Sequence, residues 1–223
     1  RSFGKHNISA LLLSRQSVRV VNNNIPYATQ GTSFRTTYNY AEKYLFEINA
    51  AYNGSENFAK GRKYGLYPAV ALGWVASNED FLKESPNIDY LKIRGSYGIV
   101  GNDQLPGGRF GYLQFYTVNG NNYNLGMDLS SGVPANVYEG ALANPLLTWE
   151  TSKKSNIGIE TRMLKNKLNF SADIFFERRS NILLQPGPDS SKTISAVVGM
   201  ASTQQNMGIF YNKGLDMDIC WKD

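Results

Sequence analysis

The strongest constraint in this sequence is a period of two that recurs along most of its length. It is cleanest in a central stretch, residues 90–173. There Leu91, Ile93, Tyr97 and Ile99 alternate with Lys92, Arg94 and Ser96, and Asn156-Ile157-Gly158-Ile159-Glu160 forms a return segment. Beyond a turn at 164–167, Leu168, Phe170, Ala172, Ile174 and Phe176 alternate with Asn169, Ser171, Asp173 and Glu177; Phe175 is the one exception. Successive side chains of an extended chain point to opposite faces, so the pattern predicts strands with one apolar and one polar face.

The rest of the chain repeats the theme. Phe34, Thr36, Tyr38 and Tyr40 alternate with Arg35, Thr37 and Asn39. After Ala41-Glu42-Lys43, Tyr44, Phe46, Ile48, Ala50 and Tyr52 alternate with Glu47, Asn49 and Asn53, which reads as a hairpin. A weaker alternation sets Ile8, Ala10 and Leu12 against Asn7, Ser9, Leu11 and Leu13. Leu66, Pro68, Val70, Leu72 and Trp74 oppose small Ala69, Ala71 and Gly73; Pro68 has no ladder donor and is expected near a strand end or bulge. Ser77, with Asp80 three residues on, reads as the cap of a short helical turn. Leu215, Met217, Ile219 and Trp221 close the series against Asp216, Asp218 and Cys220.

This amounts to about eight strands of roughly 9–12 residues, the length a tilted membrane strand needs. The connections alternate: 16–31, 54–65, 101–147 and 179–207 are long, 41–43 and 164–167 are tight, and 76–89 is intermediate. Long loops at one end and short turns at the other is the asymmetry of outer-membrane barrels. Tyr40, Tyr44, Trp74, Tyr90 and Trp221 fall at the short-turn ends, where an interfacial belt would sit. No apolar run approaches the roughly 18 residues of a membrane helix. Mean hydropathy is −0.36, which excludes no barrel, because alternating strands average out to a polar score. A soluble carbohydrate-binding β-sandwich shares the alternation, but loops of about 47 and 29 residues are unusual there.

Chemistry is sparse. One histidine, His6, and one cysteine, Cys220, leave no material for a His/Cys metal cluster, an internal disulfide or a CxxC site. A nucleophile–histidine arrangement would have to use His6, which reads as an ordinary strand-end residue. Asp216/Asp218 and Asp173/Glu177 lie at even spacing on strand faces and read as wall residues rather than a glycosidase pair. Gly107-Gly108-Arg109-Phe110-Gly111 lacks the GK[ST] of a phosphate loop and reads as a turn. Net charge is +5, but the basic residues are scattered, with short clusters at Lys60-Gly61-Arg62-Lys63 and Lys153-Lys154, so no nucleic-acid track is expected. No enzyme activity and no cofactor are expected.

Four segments carry a family resemblance: FAKGRKYGLYPAVALGW at 58–74, LKIRGSYGIVGND at 91–103, NPLLTWETSKKSNIGIE at 144–160 and YNKGLDMDI at 211–219. In these, and in their order, the chain resembles the barrel of the SusC/RagA family, the TonB-dependent outer-membrane transporters of Bacteroidota. The resemblance implies an all-β fold: part of a large antiparallel transmembrane β-barrel, about eight strands of a wall of about 22, with long extracellular loops. It implies a multi-pass protein in the bacterial outer membrane, in contact with its lipid. It further implies nutrient uptake energised by the TonB complex through an internal plug, with a SusD-like surface lipoprotein as lid, and a glycan or oligopeptide as cargo. Residues 1–223 then correspond to a partial barrel, with the plug domain and the C-terminal strands absent. The chain starts Arg-Ser-Phe-Gly without an initiator Met and ends on Trp-Lys-Asp after a strand-like run, so a piece of a longer protein is expected. A stand-alone small outer-membrane barrel or adhesin is the alternative.

Two residue sets are candidate sites. Arg35, Glu47, Lys92, Arg94, Glu160 and Asp173 are expected to face the lumen, either as ion pairs of the wall or as contacts for passing substrate. In the long loop, Tyr112, Phe115, Tyr116, Asn121, Asn122 and Tyr123 combine aromatic faces with amides, which suits capture of sugar rings. The same residues would equally pack the loop on itself or dock a lid.

Overall fold

The computed structural model describes residues 2–21, 25–83, 85–105, 108–119, 136–140, 142–184 and 203–222. Among them are eleven strands. They are β1 (Ser2–Phe3), β2 (His6–Arg19), β3 (Tyr27–Tyr40), β4 (Tyr44–Ser55), β5 (Tyr64–Val75), β6 (Ile88–Asn102), β7 (Tyr116–Asn119), β8 (Asn136–Glu139), β9 (Glu150–Met163), β10 (Leu168–Leu184) and β11 (Gln205–Trp221). β7 and β8 form a separate hairpin; the other nine make one antiparallel sheet in the order β1-β2-β3-β4-β5-β6-β9-β10-β11. The fold is all-β, with eight long strands laid as a meander.

Register shows why the alternation is so regular. Cross-strand partners share a face, and apolar side chains line up across neighbours. Tyr44 pairs with Tyr40 and Trp74, and Trp74 with Ile93; Ile48 pairs with Thr36 and Val70. Ile174 pairs with Ile157 and Leu215. This face is open: Leu72 is 60% exposed, Ile157 62% and Ile219 70%. A sandwich would cover it with a second sheet; among the described residues no sheet packs over this face. Nor does the sheet close into a small barrel, since β1 and β11 are its free edges.

Several expectations need correction. The strands outrun their predicted ends: β2 reaches Arg19 and β3 begins at Tyr27, where a loop over 16–31 was expected; β10 reaches Leu184 and β11 begins at Gln205. Polar residues there do not break the ladder, because above an apolar band both faces of a strand can meet water. The expected 101–147 loop contains the β7–β8 hairpin. Pro68 sits inside β5 rather than at its end, and the β5–β6 ladder begins just past it, at Ala69, which is where a missing donor is harmless. Ser77 caps nothing: the 3₁₀ turn Ala76–Asn78 has Val75 at its cap without a side-chain bond. Four of the five belt aromatics lie on the apolar face. The fifth, Tyr90, is opposite Arg162 in a polar row, and the guanidinium stacks 4.5 Å from its ring.

At the short-turn end, the connections lock together. The turn at 41–43 holds Ala41 and Glu42 at φ 52° and 58°, and Asn39 Oδ1 accepts from the Glu42 amide at 3.0 Å. The β5–β6 connection docks on it: Val75 N donates to Lys43 O at 2.7 Å, Lys43 Nζ meets Glu79 Oε2 at 2.8 Å, and Trp74 Nε1 donates to Glu79 Oε1 at 3.3 Å. Lys43 foremost, then the Tyr44 hydroxyl, hold the Glu79 carboxyl below the usual carboxylate range. A depressed folded value means that this contribution is complete above the ordinary carboxylate range and is lost as pH falls through the lowered one. Hydrogen exchange at the Val75 amide should therefore lose protection in acid, and Glu79→Gln should flatten that profile. An unchanged profile in the variant would refute the linkage.

Candidate functional site

On the polar face, charged residues from different strands meet in pairs. Arg35 Nη2 is 2.8 Å from Glu47 Oε2, and Asn49 Nδ2 adds a bond to Glu47 Oε1 at 2.7 Å. Arg94, Gly158 and Asp173 occupy one row across β6, β9 and β10. Arg94 Nη2 reaches over Gly158 to Asp173 Oδ2 at 2.7 Å, and its Nε lies 3.1 Å from Glu160 Oε1. A Cβ on Gly158 would stand 2.8 Å from Arg94 Nε and also strike Asp173, so glycine leaves the space through which the pair crosses a strand. Lys92 is opposite Glu160 in register but forms no ion pair among the described residues. Closer to the long-loop end, Glu177 accepts from Ser152 Oγ at 2.7 Å and Arg179 Nη2 at 3.1 Å, and Arg179 Nε is 3.5 Å from Glu150. Half-exposed pairs of this kind are worth about 0.2–1 kcal/mol each. Together they fix rotamers across the face rather than supply bulk stability.

The long-loop end holds the only packed cluster among the described residues. Phe58 and Leu147 are fully buried, and Tyr67, Trp149 and Leu183 nearly so. Trp149 lies 5.3 Å from the Phe58 ring and 5.4 Å from Tyr67, and its Nε1 donates to Lys63 O at 3.3 Å. Gly101 and Gly65 carry no side chain where the Tyr67 ring lies. Asn206 fastens the segment before β9, accepting from Thr148 N at 2.9 Å and donating to Thr148 O and Asn181 O at 2.9 and 2.8 Å. Two of the sequence segments singled out above, 58–74 and 144–160, thus meet in this platform.

Arg109 ties three connections to one another. Its Nη1 donates to Ile25 O at 2.6 Å and its Nη2 to Pro26 O at 2.7 Å, while Nη2 also pairs with Glu56. The guanidinium lies 3.8 Å from the Tyr27 ring centroid and 4.6 Å from Phe110. The only signal for this in the sequence is its glycine-rich setting; Gly108 adopts φ +98° just before it.

Of the loop candidates, Tyr112 packs edge-on against Phe110 at 6.2 Å. Phe115 and Tyr116 are adjacent and open, 50% and 62% exposed, beside and within β7. Asn121, Asn122 and Tyr123 lie outside the described residues. Open aromatic rings of this kind can stack on a ligand ring; no acid–base or nucleophilic arrangement accompanies them among the described residues.

These features define a wall segment of a large antiparallel barrel, crowned by tied loops. The family model for the TonB dependent receptor-like β-barrel matches residues 9–221, and the chain belongs to that family of bacterial outer-membrane proteins. Among similar curated proteins are TonB-dependent receptor P3 of Formosa agariphila, 34% identical over 83% of this chain, and TonB-dependent receptor SusC of Bacteroides thetaiotaomicron, 29% identical over 86%. This chain spans 17% and 19% of the lengths of those two proteins. The solved RagAB peptide transporter superposes with a TM-score of 0.76 at 20% identity, over 97% of this chain and 26% of that one. These relatives are receptors and transporters rather than enzymes.

Arg109→Ala should unfasten the connections at 25–26 and 56 and leave the Glu56 carboxylate unpaired, costing about 1–3 kcal/mol in urea unfolding. Tryptic cleavage at Lys60, Arg62 and Lys63 should quicken. Arg109→Lys should restore little of this, because a point charge cannot fork to two carbonyls and stack on a ring at once; full rescue by lysine would mean that charge alone matters.

Proposed function

We propose that this chain is a stretch of barrel wall and loops from a SusC-type importer of the bacterial outer membrane, with the apolar face toward lipid and the polar face toward the lumen. The observation that carries the reading is the family match along the wall. It is supported by the apolar face, whose strands β2–β6 hold no lysine, arginine or carboxylate between the Tyr44 and Tyr52 levels. That interval is about 26 Å along the strand, or about 20 Å along the membrane normal at the usual tilt, which is most of the apolar height of such barrels. On this reading Arg35, Glu47, Lys92, Arg94, Glu160 and Asp173 line the lumen as a braced wall. Phe115 and Tyr116 offer stacking faces to an incoming glycan or oligopeptide, while Tyr112 packs on Phe110. SusC's own TonB dependence and the RagAB peptide transporter support a TonB-driven cycle, a SusD-like lipoprotein lid and cargo of one of those two classes. The chain itself performs no catalysis.

The test uses the intact receptor. Glycan and peptide libraries are screened against it, with any lipoprotein that co-purifies, and the best ligand is then titrated against Phe115→Ala/Tyr116→Ala. Each ring lost should weaken binding by about 0.5–1.5 kcal/mol, and uptake should fall in parallel. Unchanged affinity would move substrate contact elsewhere in the crown. In the wall, Ile157→Lys at mid-height should cost about 2–4 kcal/mol when unfolding is followed in lipid vesicles; a neutral result would refute the lipid-facing assignment.

A further inference from the structure

The apolar face carries its lysines and arginines in one place. On β2 to β6 that face holds none. β9, β10 and β11 hold one each: Lys153, Arg178 and Lys213. Lys153 and Arg178 are direct partners, Arg178 is opposite Tyr211, and Lys213 is opposite Phe176, one pair lower. Partner side chains start about 5 Å apart and diagonal ones about 7–8 Å, so the three cations share one patch. All three are exposed, and Arg178 Nε donates to the Tyr211 hydroxyl at 3.2 Å. Glu150, Glu160, Asp173, Glu177, Asp216 and Asp218 all lie on the polar face, so no strand carboxylate neutralises the patch.

Height is the second observation. Arg178 stands ten residues beyond Leu168, whose partner Trp221 marks the short-turn belt. That is about 33 Å along the strand and about 25 Å along the membrane normal at the usual tilt. The patch thus sits at the upper rim of the apolar band, on the long-loop side, with Lys213 slightly lower and able to snorkel upward.

We infer that Lys153, Arg178 and Lys213 bind the phosphorylated headgroups of lipids in the leaflet on the long-loop side. The inference rests on the barrel-wall reading above. A cation held near an anionic membrane surface strengthens association about fivefold, so three give roughly a hundredfold. Confinement to three adjacent strands makes this a fixed lipid site on one flank of the barrel rather than a uniform collar.

The experiment reconstitutes the intact receptor into nanodiscs of neutral lipid doped with lipid A, and counts retained lipid A by native mass spectrometry. Phosphate-stripped lipid A and inorganic phosphate are run as separate arms. K153Q/R178Q/K213Q should lower lipid A retention roughly a hundredfold, leave the phosphate-stripped lipid unchanged, and keep the heat-modifiable mobility of a folded barrel. K153R/K213R should retain lipid A as the native protein does. If the triple variant does not insert, R178Q alone should still show about a fivefold loss. Unaltered retention in a normally inserted variant would overturn this inference alone. Competition by inorganic phosphate as strong as by lipid A would replace the lipid with a free anion and overturn it too. A native receptor that never enters the discs would overturn the barrel-wall reading and the inference with it.

Discussion

A chain that crosses hydrocarbon finds no water there for its amides, so every backbone donor and acceptor must be met by another strand. The rest of this structure follows from that constraint. An antiparallel ladder meets it with neighbours adjacent in sequence, which is why β2 to β6 and β9 to β11 form a meander. The ladder then dictates the side chains: one face must be apolar against lipid, and the other is free to be polar. It also explains why so few residues are buried. The cluster around Phe58 and Leu147 lies at the long-loop end, beyond the height where lipid takes the place of a core.

The polar face solves a different problem. A wide wall has no packed interior to hold its long charged side chains, so it braces them against one another. Arg94 bridges two strands by passing over Gly158. Phe175 lies over Gly214 in the same way, covering backbone that would otherwise be bare. Small and large residues alternate across neighbouring strands, so that one strand's missing side chain seats the next strand's long one.

How much of this was legible beforehand depends on the range of the interaction. The faces of Tyr44, Phe46 and Ile48, the turns at 41–43 and 164–167, and the two-faced strand after Leu168 all follow from local periodicity, and the structure reproduces them. Strand ends did not follow, because above the apolar band hydrogen bonding continues after the alternation has faded, as at 16–19 and 180–184. Phe175 read as an error in the pattern; it pairs with a glycine on a strand that arrives about forty residues later, which no local window can register. The Arg94–Asp173 pair spans 79 residues, and Arg109 gathers partners from two earlier connections. Position alone puts Tyr90 in the belt, but its side chain shares a face with Lys92 and Arg94, so it falls in the polar row opposite Arg162.

The arrangement around Arg109 bears on how such proteins diversify. Its one side chain meets the backbone at Ile25 and Pro26, the carboxylate of Glu56 and the ring of Tyr27. Three connections separate in sequence are therefore joined at a single guanidinium, and they are inherited mechanically as one part. Exchanging any one of them between related receptors would break a contact made by the others, so a working graft must move the crown as a block. Specificity in such a family would then change in coordinated jumps, with several loops replaced together, while the wall beneath stays the same.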